Sequence, residues 1–153
     1  MLQLNLPEYK FRIKIQNERE YIFDNLRKKF VALTPEEWVR QNFIRFLIDE
    51  KKYPASYIAI EKQIELNGLL KRCDAVIYNP DFKPFAIIEF KAPQIKLNQA
   101  TFDQAAVYNS KLKVDYLIIS NGIEHFACKV DTQNSCYSFF EQIPNYSYLI
   151  EIG

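Results

Sequence analysis

The sequence predicts an α/β fold, with a mixed central sheet flanked by helices. Three observations carry this expectation. Two alternating runs meet at Asn67-Gly68, the strongest hairpin signal in the chain. An apolar strand, a helix and a second apolar strand follow between Phe85 and Ile119, the pattern of a β-α-β crossover. Two helical segments, one after Thr34 and one after Asn98, each carry apolar residues at helical spacing.

Taken in order, Phe11–Ile15 alternates apolar and basic residues, as a half-exposed strand does. Tyr21–Phe30 is mixed and is open to strand or short helix. Within it, Arg27-Lys28-Lys29 is expected to be a solvated face, with a minor role on a phosphate backbone as the alternative. Thr34-Pro35-Glu36-Glu37 starts a helix. Thr34 is the N-cap, Pro35 is at N1, and Glu37 at N3 is expected to complete a capping box. The helix runs to about Lys52, with Val39, Phe43, Phe46 and Leu47 toward the core. Glu36 lies at the end of that stripe and needs a partner there; Glu37 is accounted for by the cap.

Tyr53-Pro54 ends the helix. Tyr57–Leu66 and Leu69–Tyr78 are the hairpin strands, and Phe85–Lys91 follows after the turn Asn79-Pro80-Asp81. Pro93 bars continuation. Asn98 caps a helix from Gln99 to about Leu112, with Phe102, Ala105, Ala106 and Leu112 inward. Val114–Ile119 is a buried strand, Asn121-Gly122 a turn, His125–Val130 a further strand and Cys136–Phe140 an edge strand. The tail, PNYSYLIEIG, is read as loop. The single His125 is taken as a strand residue and not as a ligand or base.

The chain's 153 residues suit one domain, spanning 1–153, with one core. Net charge is +1, so DNA binding would need a local patch rather than a global basic field. Lys71, Arg72, Lys91, Lys96, Lys111 and Lys113 are candidates for one, with plain solvation the alternative for each. Cys73, Cys128 and Cys136 are odd in number and lack paired spacing, so they are expected to be reduced thiols of a cytoplasmic protein. No apolar run is long enough to span a bilayer. With 3 Gly and no glycine-rich loop motif, phosphate-cradling nucleotide sites are excluded.

The chemistry concentrates in Lys71–Lys91, KRCDAVIYNPDFKPFAIIEFK. Asp74 enters one strand, and Glu89 and Lys91 leave the next on one face. Two carboxylates and an ammonium suit metal-dependent phosphodiester cleavage: hard oxygen donors for a divalent cation, and a cation for developing phosphate charge. A structural ion-pair cluster is the alternative. Gln104 and Tyr108, i and i+4, share one helix face.

The order of these features, with TPEEWVRQNFI, KRCDAVIY, AIIEFKAP and FDQAAVY, resembles the PD-(D/E)xK nuclease superfamily, and more closely the N-terminal nuclease domain of type I restriction enzyme R subunits, over roughly residues 20 to 145. The resemblance implies a restriction-endonuclease-like fold and a Mg²⁺-dependent DNA endonuclease, with Mn²⁺ as a substitute. Asp74, Glu89 and the Phe90 carbonyl would be metal ligands and Lys91 the catalytic lysine. Glu36 would be the first-helix acid, with Glu37 as its alternative, and Gln104 and Tyr108 would support the site. It implies DNA as partner, restriction-complex subunits as further partners, and allows a homodimer. A catalytically idle module binding DNA or such a complex is the alternative. Cys73 stands where the superfamily name has Pro. R subunits carry an ATP-driven motor after this domain, which this sequence lacks. The chain is therefore expected to be a stand-alone nuclease, a subunit or a fragment, without translocation of its own.

Overall fold

The computed structural model describes residues 2–131, 133–134 and 136–152. The elements are β1 (Ile13–Gln16), β2 (Arg19–Asp24), β3 (Lys29–Ala32), α1 (Pro35–Asp49), β4 (Ile58–Leu66), β5 (Leu69–Tyr78), β6 (Pro84–Phe90), α2 (Gln99–Leu112), β7 (Tyr116–Ser120), β8 (His125–Asp131), β9 (Cys136–Phe139) and α3 (Tyr146–Ile152). Strands β1-β2-β3 form a three-stranded antiparallel sheet. The other six form one mixed sheet in the order β4-β5-β6-β7-β8-β9. Among the described residues only β6 and β7 run parallel, and α2 is the crossover between them. This mixed sheet with flanking helices is the restriction-endonuclease-like arrangement expected from the sequence.

The hairpin forms where expected. Leu66 pairs with Leu69, and Asn67 and Gly68 both take positive φ (52° and 75°), as a type I′ turn requires. The Asn67 side chain donates to the Leu112 carbonyl (3.1 Å), tying the hairpin tip to the end of α2. That helix ends on Lys113 in the left-handed region (φ 58°) and is anchored to β7 by buried Asn109, which donates to Tyr116 O at 2.9 Å.

Strands β6 and β7 are apolar on both faces because both faces are covered. Val39, Phe43 and Leu47 of α1 pack with Ala75, Ile77, Ala86, Ile88 and Ile118 on one side. Leu112 meets Val76 and Ile87, while Phe102 and Ala105 meet Leu117 and Ile119. Alternate residues of one strand thus serve opposite layers. Each fully buried aliphatic side chain contributes about 1.5–3 kcal/mol relative to exposure.

The β7–β8 turn is held closely against α1. Gly122 has φ +86°, and a Cβ there would stand 2.7 Å from Leu4 and 3.0 Å from Val39, so glycine is needed for both conformation and space. His125 is a strut, as expected for a strand residue: its ring bonds Ser120 Oγ (2.7 Å) and Asn5 O (2.8 Å), and burial pushes its pKa down. All three cysteines are free; burial pushes the Cys73 and Cys128 thiols up to about 11 and about 12, so both stay protonated. No helix among the described residues is long and apolar enough to cross a membrane.

Four expectations are corrected. Tyr21–Phe30 is neither one strand nor a helix: it belongs to β2, a turn and β3. The tail is not loop: Tyr146 and Leu149 bury one face of α3 in the core, and Tyr146 Oη donates to Tyr78 O. The capping box is half formed: Thr34 Oγ1 accepts from Glu37 N (3.0 Å), but the Glu37 carboxylate turns away from the cap. It meets Arg27, whose guanidinium bonds both Glu37 oxygens at 2.9 Å and also the buried Asp24. Arg27 is therefore a clamp and not a solvated residue; Lys28 and Lys29 are exposed.

Candidate active site

The antiparallel register of β5 and β6 runs through Val76–Ile87 to Ala75–Ile88, so Asp74 and Glu89 are the next residues out on neighbouring strands. There the ladder gives way to a side chain: Asp74 Oδ2 accepts from Phe90 N at 2.8 Å. Strand β4 is also distorted at this level. Ile60 and Lys62 pair with Ala75 and Cys73, while Glu61 between them sits at φ 49°, a conformation costing about 1–3 kcal/mol for a residue with a side chain. Arg27, Arg40 and Arg72 gather on its carboxylate at 3.4–3.6 Å, which helps hold the kink beside Asp74.

Phe90 places its ring in the core against Phe43 (centroids 5.7 Å apart), leaving its backbone for the site. Lys91 follows the strand, its N–H bonded to Ser120 O at 2.9 Å. The loop beyond is tied down by Asn121, whose side chain donates to Ile95 O (2.8 Å) and accepts from Ile123 N and Glu124 N. Two chain crossings thus set where Lys91 stands.

Glu89, Lys91, Gln104 and Tyr108 line one cleft of about 470 Å³, with Lys71 among them. Gln104 and Tyr108 are exposed on α2, one turn apart, facing the strand-end charges. The cleft holds one carboxylate, Glu89, and Asp74 on the neighbouring strand is not among its lining residues; hollows of about 550 and 530 Å³ elsewhere on the surface hold one carboxylate each. One of about 380 Å³ has Asp115 and Asp131, but Asp131 is occupied by its own turn, accepting from Gln133 and Asn134.

Glu36 and Glu37 separate cleanly. Glu37 is buried and consumed by Arg27, Arg40 and Gln41. Glu36 is half-buried, and its carboxyl is raised above its ordinary value, first by burial and then by the negative charge of Asp74, with Arg40 and Lys91 opposing. Glu36 therefore lies within electrostatic reach of Asp74 and Lys91, whereas the Glu37 carboxylate is taken up by Arg27, Arg40 and Gln41.

A raised carboxyl has a definite stability signature. Its stabilising contribution is present below the unfolded value and lost as pH rises through the folded one. Glu36→Gln should therefore raise the melting temperature of metal-free protein at pH 7. Solvent screening keeps the gain small, on the order of 1–2 °C. The gap should close toward pH 4, below the ordinary Glu value of 4.5. Melting curves in EDTA across that range check this; a gap independent of pH would contradict it.

One residue of the site was treated in the sequence only as a member of a surface patch. Lys71 is half-buried, stands 3.6 Å from Glu89, and lies 4.4 Å over the ring of Tyr108. The available signal was strand alternation: Leu69, Lys71 and Cys73 share a face, and Cys73 is buried. The patch is thus divided. Lys71 and Arg72 are paired with carboxylates, whereas Lys96, Lys111 and Lys113 are exposed. Glu89's counter-ion is Lys71, not Lys91. Lys91 enters no ion pair among the described residues, though its charge is felt by Glu36.

Among the described residues no three His, Cys, Asp or Glu side chains converge as a metal cage. The donor set expected from the sequence is different in kind: two carboxylates and a main-chain carbonyl. The surroundings fit a hard cation. Asp74 has one oxygen on Phe90 N and the other without a hydrogen bond among the described residues, and its charge raises the carboxyl of Glu36.

Residues 35–144 match a family model described as Type I restriction enzyme R protein N terminus (HSDR_N). No curated protein matches the chain.

Proposed function

Because the chain belongs to the type I restriction enzyme R protein N-terminal family, a restriction-related nuclease module, we propose that it is a Mg²⁺-dependent DNA endonuclease of the PD-(D/E)xK kind. The observation that carries this reading is the cleft that gathers Glu89, Lys91, Gln104 and Tyr108 beside Asp74. Asp74, Glu89 and the Phe90 carbonyl would hold the cation, with Mn²⁺ a substitute for Mg²⁺. When bound, the cation supplies Lewis acidity and a water of lowered pKa for attack on phosphorus.

The chain's own groups divide the remaining work. Lys91, in no ion pair among the described residues, is available to the phosphate oxygens as negative charge builds on them. Gln104 and Tyr108 offer an amide and a phenol to the DNA backbone along one rim. Lys71 orients Glu89 while its ammonium rests on the Tyr108 ring, so carboxylate, ammonium and phenol are positioned as a unit. Glu36 adds a third negative group next to Asp74. Partners on this reading are DNA and, by family, restriction-complex subunits.

A second reading draws on the Lys71–Glu89 pair itself. A carboxylate already neutralised suits an idle module that binds DNA or a restriction complex without cutting. Two measurements separate the readings. Plasmid nicking with Mg²⁺ and with Mn²⁺, blocked by EDTA, is expected for the nuclease. Divalent metal should also raise the melting temperature by mass action, about 2.7 kcal/mol at a hundredfold excess over Kd. Asp74→Asn or Glu89→Gln should abolish that rise. Equal shifts in wild type and variants, with no nicking under either metal, would leave the idle module.

A further inference from the structure

The outer face of the small sheet carries its cations differently from the ion-paired ones of the large sheet and α1. Arg27, Arg40, Lys71 and Arg72 are each neutralised by a carboxylate. Arg12 and Lys14 are held instead by rings. The Arg12 guanidinium lies 4.8 Å from the Phe23 centroid and 5.5 Å from that of Phe30, and the Lys14 ammonium lies 4.3 Å from that of Phe30. The two rings meet edge to face at 5.2 Å.

Strand alternation adds Arg19 and Tyr21 to this face with Phe23, because Ile22 and Asp24, in the alternate positions, are buried on the other. No strand residue on the outer face carries a carboxylate. Glu20 points with Ile22, and Glu18, in the β1–β2 turn, pairs with none of the three cations. Arg12, Lys14 and Arg19 are all exposed.

A cation held by an aromatic ring keeps its charge and its outward N–H groups, whereas an ion pair cancels both. The side-chain ordering is then largely complete before a ligand arrives. Such a surface suits an extended polyanion better than a single small anion. The face is also joined to the candidate site: Arg27, in the β2–β3 turn, grips Glu37, the neighbour of Glu36.

We infer that this face, through Arg12, Lys14 and Arg19, is a second DNA contact that binds the duplex phosphate backbone outside the cleft. The inference rests on the proposed function only for its choice of DNA as partner. Contacts of this kind carry no base specificity and are read in the salt dependence of binding.

The test is a fluorescence-anisotropy titration of labelled duplex DNA, in EDTA so that nothing is cut, over a salt series. The triple variant Arg12→Gln, Lys14→Gln, Arg19→Gln is compared with Lys62→Gln, Lys83→Gln, Lys129→Gln, which removes the same charge from exposed positions elsewhere. The first should lose about 10–100-fold in affinity at low salt, with the salt slope falling by about two to three units. The second should stay within about threefold. Arg12→Lys with Arg19→Lys should retain the wild-type slope, and melting curves confirm that all variants fold. Equal losses in both triple variants, an unchanged patch variant, or wild type that binds phosphatidylserine vesicles but not DNA would overturn the inference. Wild type that binds through this face and cuts with no metal would overturn the nuclease reading alone. Wild type that cuts, and binds equally well after the patch is neutralised, would overturn this inference alone.

Discussion

Lys91→Ala is expected to slow DNA cleavage by about two to three orders of magnitude while leaving the fold and metal binding intact. A protonated lysine has no lone pair for a cation, so the metal-induced rise in melting temperature should persist. Its contribution should appear as charge builds on the attacked phosphate, an interaction stronger in the transition state than in the ground state. The structure sharpens this expectation. Were Lys91 the counter-ion of Glu89, its loss would leave a half-buried carboxylate unpaired. Lys71, 3.6 Å from Glu89, already has that role. Unfolding free energy of Lys91→Ala should therefore change by no more than about 1 kcal/mol. Single-turnover cleavage and a melting curve on the same preparation test both halves. A variant that melts much earlier than wild type would make Lys91 structural; one that cuts normally would remove it from the chemistry.

Arg27→Met should be among the most destabilising single changes in the chain, at about 3–5 kcal/mol. Asp24 and Glu37 are 3% and 5% exposed, and both depend on this guanidinium. Methionine fills much of the volume but leaves two carboxylates buried without their main cation. Burial alone would push the Asp24 carboxyl up; the hydrogen bonds and charge of Arg27 outweigh it and hold the group below its ordinary value. A depressed carboxyl stabilises the fold above its unfolded value, 3.8, and loses that contribution as pH falls through the folded value. The gap between wild type and variant should therefore be widest near neutrality and narrow in acid. Denaturant unfolding at pH 7 and at about pH 2.5, below the ordinary Asp value of 3.8, measures this. A loss below about 1 kcal/mol at pH 7 would reduce Arg27 to a surface residue.

Most of the large sheet was legible from local chemistry. Asn67-Gly68 specified the hairpin because few residue pairs tolerate two positive φ values. Asn98 marked the start of α2, where its side chain accepts from Thr101 N, and the apolar residues of that helix set its buried face. Less was legible where segments are short. Helix α3 has seven residues, too few to be stable alone, and it exists because Tyr146 and Leu149 find the core. Tyr21–Phe30 was ambiguous because its period is interrupted by a turn in which Lys28 adopts φ 57°.

Within the candidate site the same boundary holds. By themselves the residues determined the sequence order of Asp74, Glu89, Lys91, Gln104 and Tyr108, and the strands and helix that carry them, because strand and helix periods act over a few residues. Only tertiary structure decided which charges meet. Arg27 left the solvated face for Glu37, Glu37 left the cap for Arg27, and Lys71 rather than Lys91 took Glu89. Ion pairing depends on distance and desolvation between segments far apart in the chain, and neither quantity is encoded by the spacing of residues along it.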